Sequence, residues 1–208
     1  MIRIKEIYQI IQTRRSIREY SSEIPDEAKI MRVIEAAFWA PSPANLQPWK
    51  FLIIKDKEIK NRMVEVVVSR MKENPKNSAM SNSVKESRLN YQPYYLSFKE
   101  APVVIAVLYK PYPSHLVCGE QLVKNDDIGR LISAQSVGAA IQNMLLAMTS
   151  EGLGGCWMTG PLIAKREIEN ILEIDYPWEL LTLVSLGFPL RVPKAPRRKP
   201  IRAVVKVV

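Results

Sequence analysis

The chain has 208 residues, 47% of them hydrophobic, and carries a formal net charge of +9 with a pI near 9.6. That length fits a single domain over residues 1–208, with enough apolar content to close a core without metals or disulfides. The charge points to an anionic partner, and composition leaves three kinds open: nucleic acid, a membrane surface or a phosphorylated small molecule.

The N-terminus is charged within three residues and lacks a long apolar stretch, so no signal peptide is expected. Residues 4–13 read as an amphipathic helix with Ile7, Ile10 and Ile11 on one face. Arg14-Arg15-Ser16-Ile17-Arg18 follows, three arginines and a serine in five residues. Arginine meets a phosphate bidentately and a serine hydroxyl adds a donor. The same residues would also suit a plain basic helix end, where cations complement the dipole.

A second helix opens at Pro25-Asp26-Glu27, shows an apolar stripe of Ile30, Val33, Ile34, Ala37 and Phe38, and stops at Pro41. The loop Pro41-Ser42-Pro43-Ala44-Asn45-Leu46-Gln47-Pro48-Trp49 holds three prolines, which stiffen it and pre-position its polar groups. Asn45 and Gln47 each donate and accept, which suits a flat heterocycle whose edge alternates carbonyl and N–H groups. A rigid turn satisfying its own backbone is the other reading. Residues 49–55 form a strand, and Asp56 caps a helix running to about residue 71.

Residues 72–92 lose periodicity, with a short helix expected near 84–89. Residues 102–109 (PVVIAVLY) read as a strand buried on both faces. Residues 110–126 are again irregular. They hold His115, the only histidine, and Cys118, which lies far from the one other cysteine, Cys156. No second ligand pair accompanies His115 and Cys118, so a metal site is not expected. Two distant cysteines outside any CxxC pattern fit a reducing cytoplasm.

Residues 127–151 are the longest helix, apolar nearly all round, with Gly152 as a left-handed cap. Ser133, Gln135, Gln142 and Asn143 make it too polar for an ordinary membrane span, so no membrane partner is expected. Gly154 to Met158 is a short strand within Gly152-Leu153-Gly154-Gly155-Cys156-Trp157-Met158-Thr159-Gly160-Pro161. These glycines admit a ligand close to the backbone or simply make a cap and turn. The run is neither GxGxxG nor a Walker motif. A short helix over 164–172, a strand over 180–188, a basic Pro-rich run over 193–200 and a terminal strand over 203–208 complete the chain. Basic residues are spread along the sequence without an RNP, KH or zinc pattern. A nucleic-acid-binding protein is therefore the competing reading, and no nucleic-acid partner is expected.

Taken in order, four segments resemble the FMN-dependent nitroreductase family: RRSxR, PSxxNxQPW before the first strand, a GLGxCW-type loop after a long helix, and the basic tail. The resemblance implies an α+β fold with a mainly antiparallel central sheet flanked by helices and a long buried helix at a dimer interface. The stretches about 72–100 and 110–126 vary among members and would be lid-like. It further implies a cytoplasmic homodimer with flavin at the interface. Arg14, Ser16 and Arg18 would bind the FMN phosphate and ribityl end, with Arg15 contributing through backbone or packing. Pro41, Ser42, Pro43, Asn45 and Gln47 would come from the partner subunit. Met158, Thr159 and Gly160 would line the ring, and Arg197 or Arg198 would reach the phosphate. Some relatives carry glutamate at the position of Thr159, which leaves that residue its backbone N–H. NADH or NADPH would donate hydride, and a small organic acceptor such as a nitroaromatic or quinone would take it in a ping-pong scheme, with no catalytic side chain and no metal. The family also contains dehalogenating, flavin-cleaving and dehydrogenating members.

Overall fold

A computed structural model describes residues 4–72, 93–113 and 126–208. The short helix expected near 84–89, His115 and Cys118 lie outside the described residues. Nine main elements follow in chain order: α1 (Ile4–Thr13), α2 (Glu27–Phe38), β1 (Trp49–Ile54), α3 (Lys57–Lys72), β2 (Val103–Tyr109), α4 (Asp126–Ser150), β3 (Gly154–Met158), α5 (Lys165–Ile171) and β4 (Glu179–Gly187). The four strands make one sheet in the order β1-β2-β4-β3, antiparallel throughout. The architecture is α+β.

β2 is buried along its whole length. Its alternation divides the core, because successive side chains point to opposite faces. Val103, Ile105 and Val107 join Ile30, Val33, Ile34, Val137, Ile141, Met144 and Met148 beneath α2 and α4. Val104, Ala106 and Leu108 join Met63, Val67, Phe98, Cys156, Met158 and Ile168 on the side of α3 and α5. A strand apolar at every position is thus explained by two helical layers rather than one.

Local sequence sets the ends of the helices. Asp26 accepts the Lys29 N–H at 2.7 Å and caps α2. Asp56 accepts from Glu58 and Ile59 and opens α3. These side-chain acceptors satisfy amides that the helix itself leaves bare. Gly152, at φ +72°, ends the last turn after α4 in the left-handed region that glycine tolerates best. α4 is long and apolar enough to cross a membrane by length and composition, yet here it packs on α2 and the sheet. Its buried Ser133 hydroxyl donates to the Lys110 carbonyl at 2.7 Å.

The last segment departs from expectation. Residues 203–208 do not form a strand; Ile201–Ala203 is a single 3-10 turn, and the residues after it are exposed and unpaired with any strand of this chain.

An ion cluster ties the sheet to α4 and α5. Glu179, at the start of β4, accepts from Lys165 at 2.9 Å, from Tyr109 Oη at 3.0 Å and from Arg130. Burial resists ionisation of Glu179, but the hydrogen bonds from Lys165 and Arg130 prevail and hold its carboxyl below the ordinary value of 4.5. A carboxyl depressed in the folded state stabilises it fully above the unfolded value and loses that contribution as pH falls through the folded one. Glu179→Gln is expected to cost roughly 1–2 kcal/mol at neutral pH. It should also flatten the acid limb of stability below about pH 4.5, as followed by urea unfolding across pH.

Candidate functional site

The arginine segment is placed by main-chain pairing. Ser16 bridges Gly155 in parallel, and the Ile17 N–H donates to the Gly155 carbonyl at 3.0 Å. The chain after α1 therefore runs beside β3 and extends the sheet at that edge. Gly154 permits the approach: a Cβ there would stand 2.4 Å from Ile17 Cγ1. Ile17 is only 3% exposed and anchors the segment.

The two readings of the arginines divide between residues. Arg15 turns back, donating to the Gln12 and Arg14 carbonyls at 2.7 and 2.8 Å, and completes the C-terminal end of α1. Arg14, Ser16 and Arg18 lie toward Cys156. Burial raises the Cys156 thiol above its ordinary value, and Arg18, the Ser16 hydroxyl and Arg14 pull it the other way. Spacing of two along an extended run puts those three side chains on one side.

Arg18 lines a cavity of about 560 Å³ together with Tyr94, Tyr95, Cys156, Trp157, Met158, Thr159 and Gly160. Its guanidinium lies 4.8 Å from the centre of the Tyr94 ring, a cation–π contact. A Cβ on Gly160 would fall 2.1 Å from the Tyr95 ring, so only glycine fits there. Ser97 Oγ approaches Met158 Sδ at 3.2 Å and fastens the tyrosine segment to the end of β3. Tyr94 and Tyr95 escaped the sequence reading, and Trp157 entered it only as part of the GLGxCW-type loop. The signal available was the Tyr94-Tyr95 doublet ahead of β2.

The proline loop lies elsewhere. It precedes β1, at the sheet edge opposite β3. Three strand spacings separate those edges, about 14 Å. Ala44, Asn45 and Gln47 adopt φ of 48°, 53° and 48°. Left-handed backbone costs non-glycine residues roughly 1 kcal/mol each and persists where surroundings over-determine it. Here the Gln47 N–H donates to Ser42 Oγ at 2.9 Å, Asn45 N–H to the Ser42 carbonyl at 3.0 Å, and Lys110 N–H to the Pro48 carbonyl at 3.1 Å. Ser42 thus performs turn chemistry and keeps its own proton for another acceptor. Pro41, Pro43, Asn45 and Gln47 are exposed. A stiff, strained polar loop is thus exposed at the surface of the chain.

Arg197 and Arg198 are exposed in the extended tail. That tail starts beside the arginine segment, with Leu190 N–H donating to the Glu19 carbonyl at 3.0 Å. The structure therefore brings Arg18 to one cavity with Met158, Thr159 and Gly160, and sets Ser16 beside Gly155 and Arg14 near Cys156, within one chain. It does not join them to Ser42, Asn45 and Gln47.

Such an arrangement, an arginine-bearing segment laid along the edge of a four-stranded antiparallel sheet, has parallels among known proteins. The Nitroreductase family model matches residues 11–188, and the chain belongs to that family. It is 30% identical to iodotyrosine deiodinase 1 of Rattus norvegicus, over all of this chain and 71% of the relative. A BluB-like flavoprotein from Clostridium difficile 630 superposes with a TM-score of 0.84 at 25% identity, covering both chains fully. Iodotyrosine deiodinase bound to FMN and 3-iodo-L-tyrosine gives a TM-score of 0.71 at 25% identity, over 93% of this chain and 96% of that one.

Gly154→Ala tests the main-chain approach. The added methyl meets Ile17 at 2.4 Å and has to displace it. Overpacking of this kind costs about 1–3 kcal/mol. Amide exchange at Ile17 should accelerate well beyond that of β2.

Proposed function

We propose that this chain is an FMN-dependent oxidoreductase that works as a homodimer. When bound, FMN supplies the redox chemistry, taking hydride from NADH or NADPH and, after the donor leaves, passing it to a small organic acceptor in the same pocket. The observation that carries this reading is the meeting of Arg18 with the Met158 to Gly160 turn around one cavity, on a segment that Ser16 pairs to β3.

The residues fit the cofactor's chemistry in two parts. A phosphate monoester carries close to two negative charges and three acceptor oxygens. Arg14 and Ser16, at the far end of the bridged segment, suit it, with Arg197 or Arg198 of the basic tail as a further cation. Arg18 stands abreast of Met158 and lines the cavity itself. The sequence reading gave Arg18 to the phosphate and ribityl end; its position favours the ring, where a fixed guanidinium stabilises negative charge. The exposed backbone of Thr159 and Gly160 offers N–H donors at the same wall. Tyr94, Tyr95 and Trp157 supply aromatic faces to exclude water and stack the acceptor.

Dimerisation would complete the site. Ile7 and Trp39 share an apolar groove with Ala36, Leu146 and Ala147 across α1, α2 and α4, and Tyr8, Ile11 and Phe38 are exposed on the same helices, with Trp39 82% exposed. Monomeric proteins seldom leave such a face bare. Covering it with a second copy would carry that copy's Ser42, Asn45 and Gln47 toward Arg18. β1 is an open sheet edge with a groove of about 680 Å³ beside it, and the valine-rich residues 204–208 have the composition of a missing strand. The crossing of one subunit's tail onto the partner's sheet follows. Deleting residues 191–208 should shift the sedimenting species from dimer toward monomer.

A second reading concerns the acceptor. Relatives named iodotyrosine deiodinase, including those from Rattus norvegicus and Thermotoga neapolitana, favour a halogenated phenol, reduced with release of halide. Assay of the reduced enzyme against halophenols, quinones and nitroaromatics separates the two.

Purified protein should be yellow with about one FMN per chain; a colourless protein that takes up no added FMN refutes the proposal. Arg14→Ala is expected to weaken FMN binding roughly 10- to 100-fold without altering the flavin potential. Arg18→Ala should weaken binding and also shift the flavin potential. A purified heterodimer of an Arg14→Ala subunit with an Asn45→Ala subunit should keep one intact site of two. Loss of both sites would mean that the loop and the arginines act within one chain.

A further inference from the structure

Tyr20 lies outside the cavity, yet it governs the backbone between Ser16 and Arg18. Its hydroxyl reaches the Ile17 carbonyl at 2.5 Å and Ser185 Oγ at 2.6 Å. A phenol has one proton. The carbonyl can only accept, so Tyr20 donates to Ile17 and the Ser185 hydroxyl donates to Tyr20. Ser185 is fully buried near the end of β4, directly opposite Cys156 of β3. The Ile17 residue is therefore held on both sides, its N–H by the Gly155 carbonyl and its C=O by Tyr20.

The ring itself has a prepared seat. Gly187 ends β4, and a Cβ there would stand 2.9 Å from Tyr20 Cδ1 and 2.6 Å from Pro102. Tyr20 also bridges Pro189, and the Ser21 N–H donates to the Phe188 carbonyl at 3.0 Å. Ring, hydroxyl and backbone are all fixed by the end of β4. Two strands of the sheet thus converge on the backbone of one residue, which is more than the packing of a core tyrosine requires.

We propose that Tyr20 is a positioning residue for the cofactor site: through the Ile17 carbonyl it sets the direction in which Arg18, and behind it Arg14, leave the sheet edge. The inference rests on the flavin reading above. Phenylalanine would keep the seat filled and remove only the hydroxyl. The Ile17 carbonyl and the Ser185 hydroxyl would then lose this partner in a low-dielectric setting, where an unmade hydrogen bond is costly.

Tyr20→Phe, Ser185→Ala and the double variant test it in the full-length protein. Amide exchange at Ile17 and Arg18 should speed up about tenfold in Tyr20→Phe while β2 stays protected. The FMN dissociation constant should rise about tenfold, and the visible bands of bound FMN should shift. Ser185→Ala should show the same changes to a smaller degree, and the double variant should be no worse than Tyr20→Phe, because both act through one hydroxyl. Wild-type exchange at Ile17 with unchanged FMN affinity and bands in either single variant would overturn the proposal. So would loosening of β2 to the same degree as Ile17, the mark of a merely structural tyrosine. A wild-type apoprotein that binds no FMN refutes the flavin reading itself, while exchange at Ile17 still reports separately on the Tyr20 fastening.

Discussion

The hydrogen bond from the Ile17 N–H to the Gly155 carbonyl is the constraint on which the site depends. It is one main-chain bond of ordinary length, worth about 1 kcal/mol net by itself. Its importance lies in what it forbids. With Ile17 buried and paired to the edge of β3, the residues on either side must point alternately, and Arg14, Ser16 and Arg18 cannot scatter into solvent as a basic helix end would. Gly154 and Gly155 make that pairing sterically possible. At both positions a Cβ would collide, with Ile17 in the first case and with Met148 and the Ser185 carbonyl in the second. Glycines that looked suited to a ligand are first of all suited to another stretch of backbone, and the ligand-facing residues follow from that contact.

Sheet order sets the second constraint. β3 and β1 are opposite edges, so the chain carries a cationic, aromatic cavity wall at one edge and a rigid amide-bearing loop at the other. The apolar face around Trp39 lies next to the proline loop in the chain, and burial of that face against a second copy would move the loop with it. Stability and cofactor binding would then share one interface. Strain stored at Ala44, Asn45 and Gln47 makes sense in those terms, because the loop's conformation is already set when no partner is present.

Most of the fold was legible because its signals are periodic. The i, i+3, i+4 stripe of α2, the unbroken apolar run of β2 and the all-round apolar α4 each have one economical burial. Strand pairing was not legible, since antiparallel order depends on contacts far apart in sequence, such as Cys156 with Ser185. The site was half legible. Arginine content pointed to a phosphate but could not separate Arg15, which is consumed by the Gln12 carbonyl, from Arg18. Tyr94 and Tyr95 sit where no periodicity marks them, and Tyr20 reads as a core aromatic until its hydroxyl is seen between Ile17 and Ser185. The terminal residues 203–208 have strand composition without a strand partner in their own chain.

The net charge of +9 also acquires a layout. Glu151 pairs with Arg32, Glu167 with Arg70, and Glu179 with Lys165 and Arg130. These acids are committed to holding helices against one another and against the sheet. By contrast, no carboxylate lines the described wall of the cavity beside Arg18. Neutralisation is therefore uneven: the scaffold consumes its own charge, and the excess remains at the arginine segment and the tail that starts beside it. A positive region with low-dielectric walls concentrates anions far more effectively than the same charge spread over a surface. On the flavin reading, that excess would serve a small phosphorylated ligand, and the acids placed elsewhere would keep it from being cancelled.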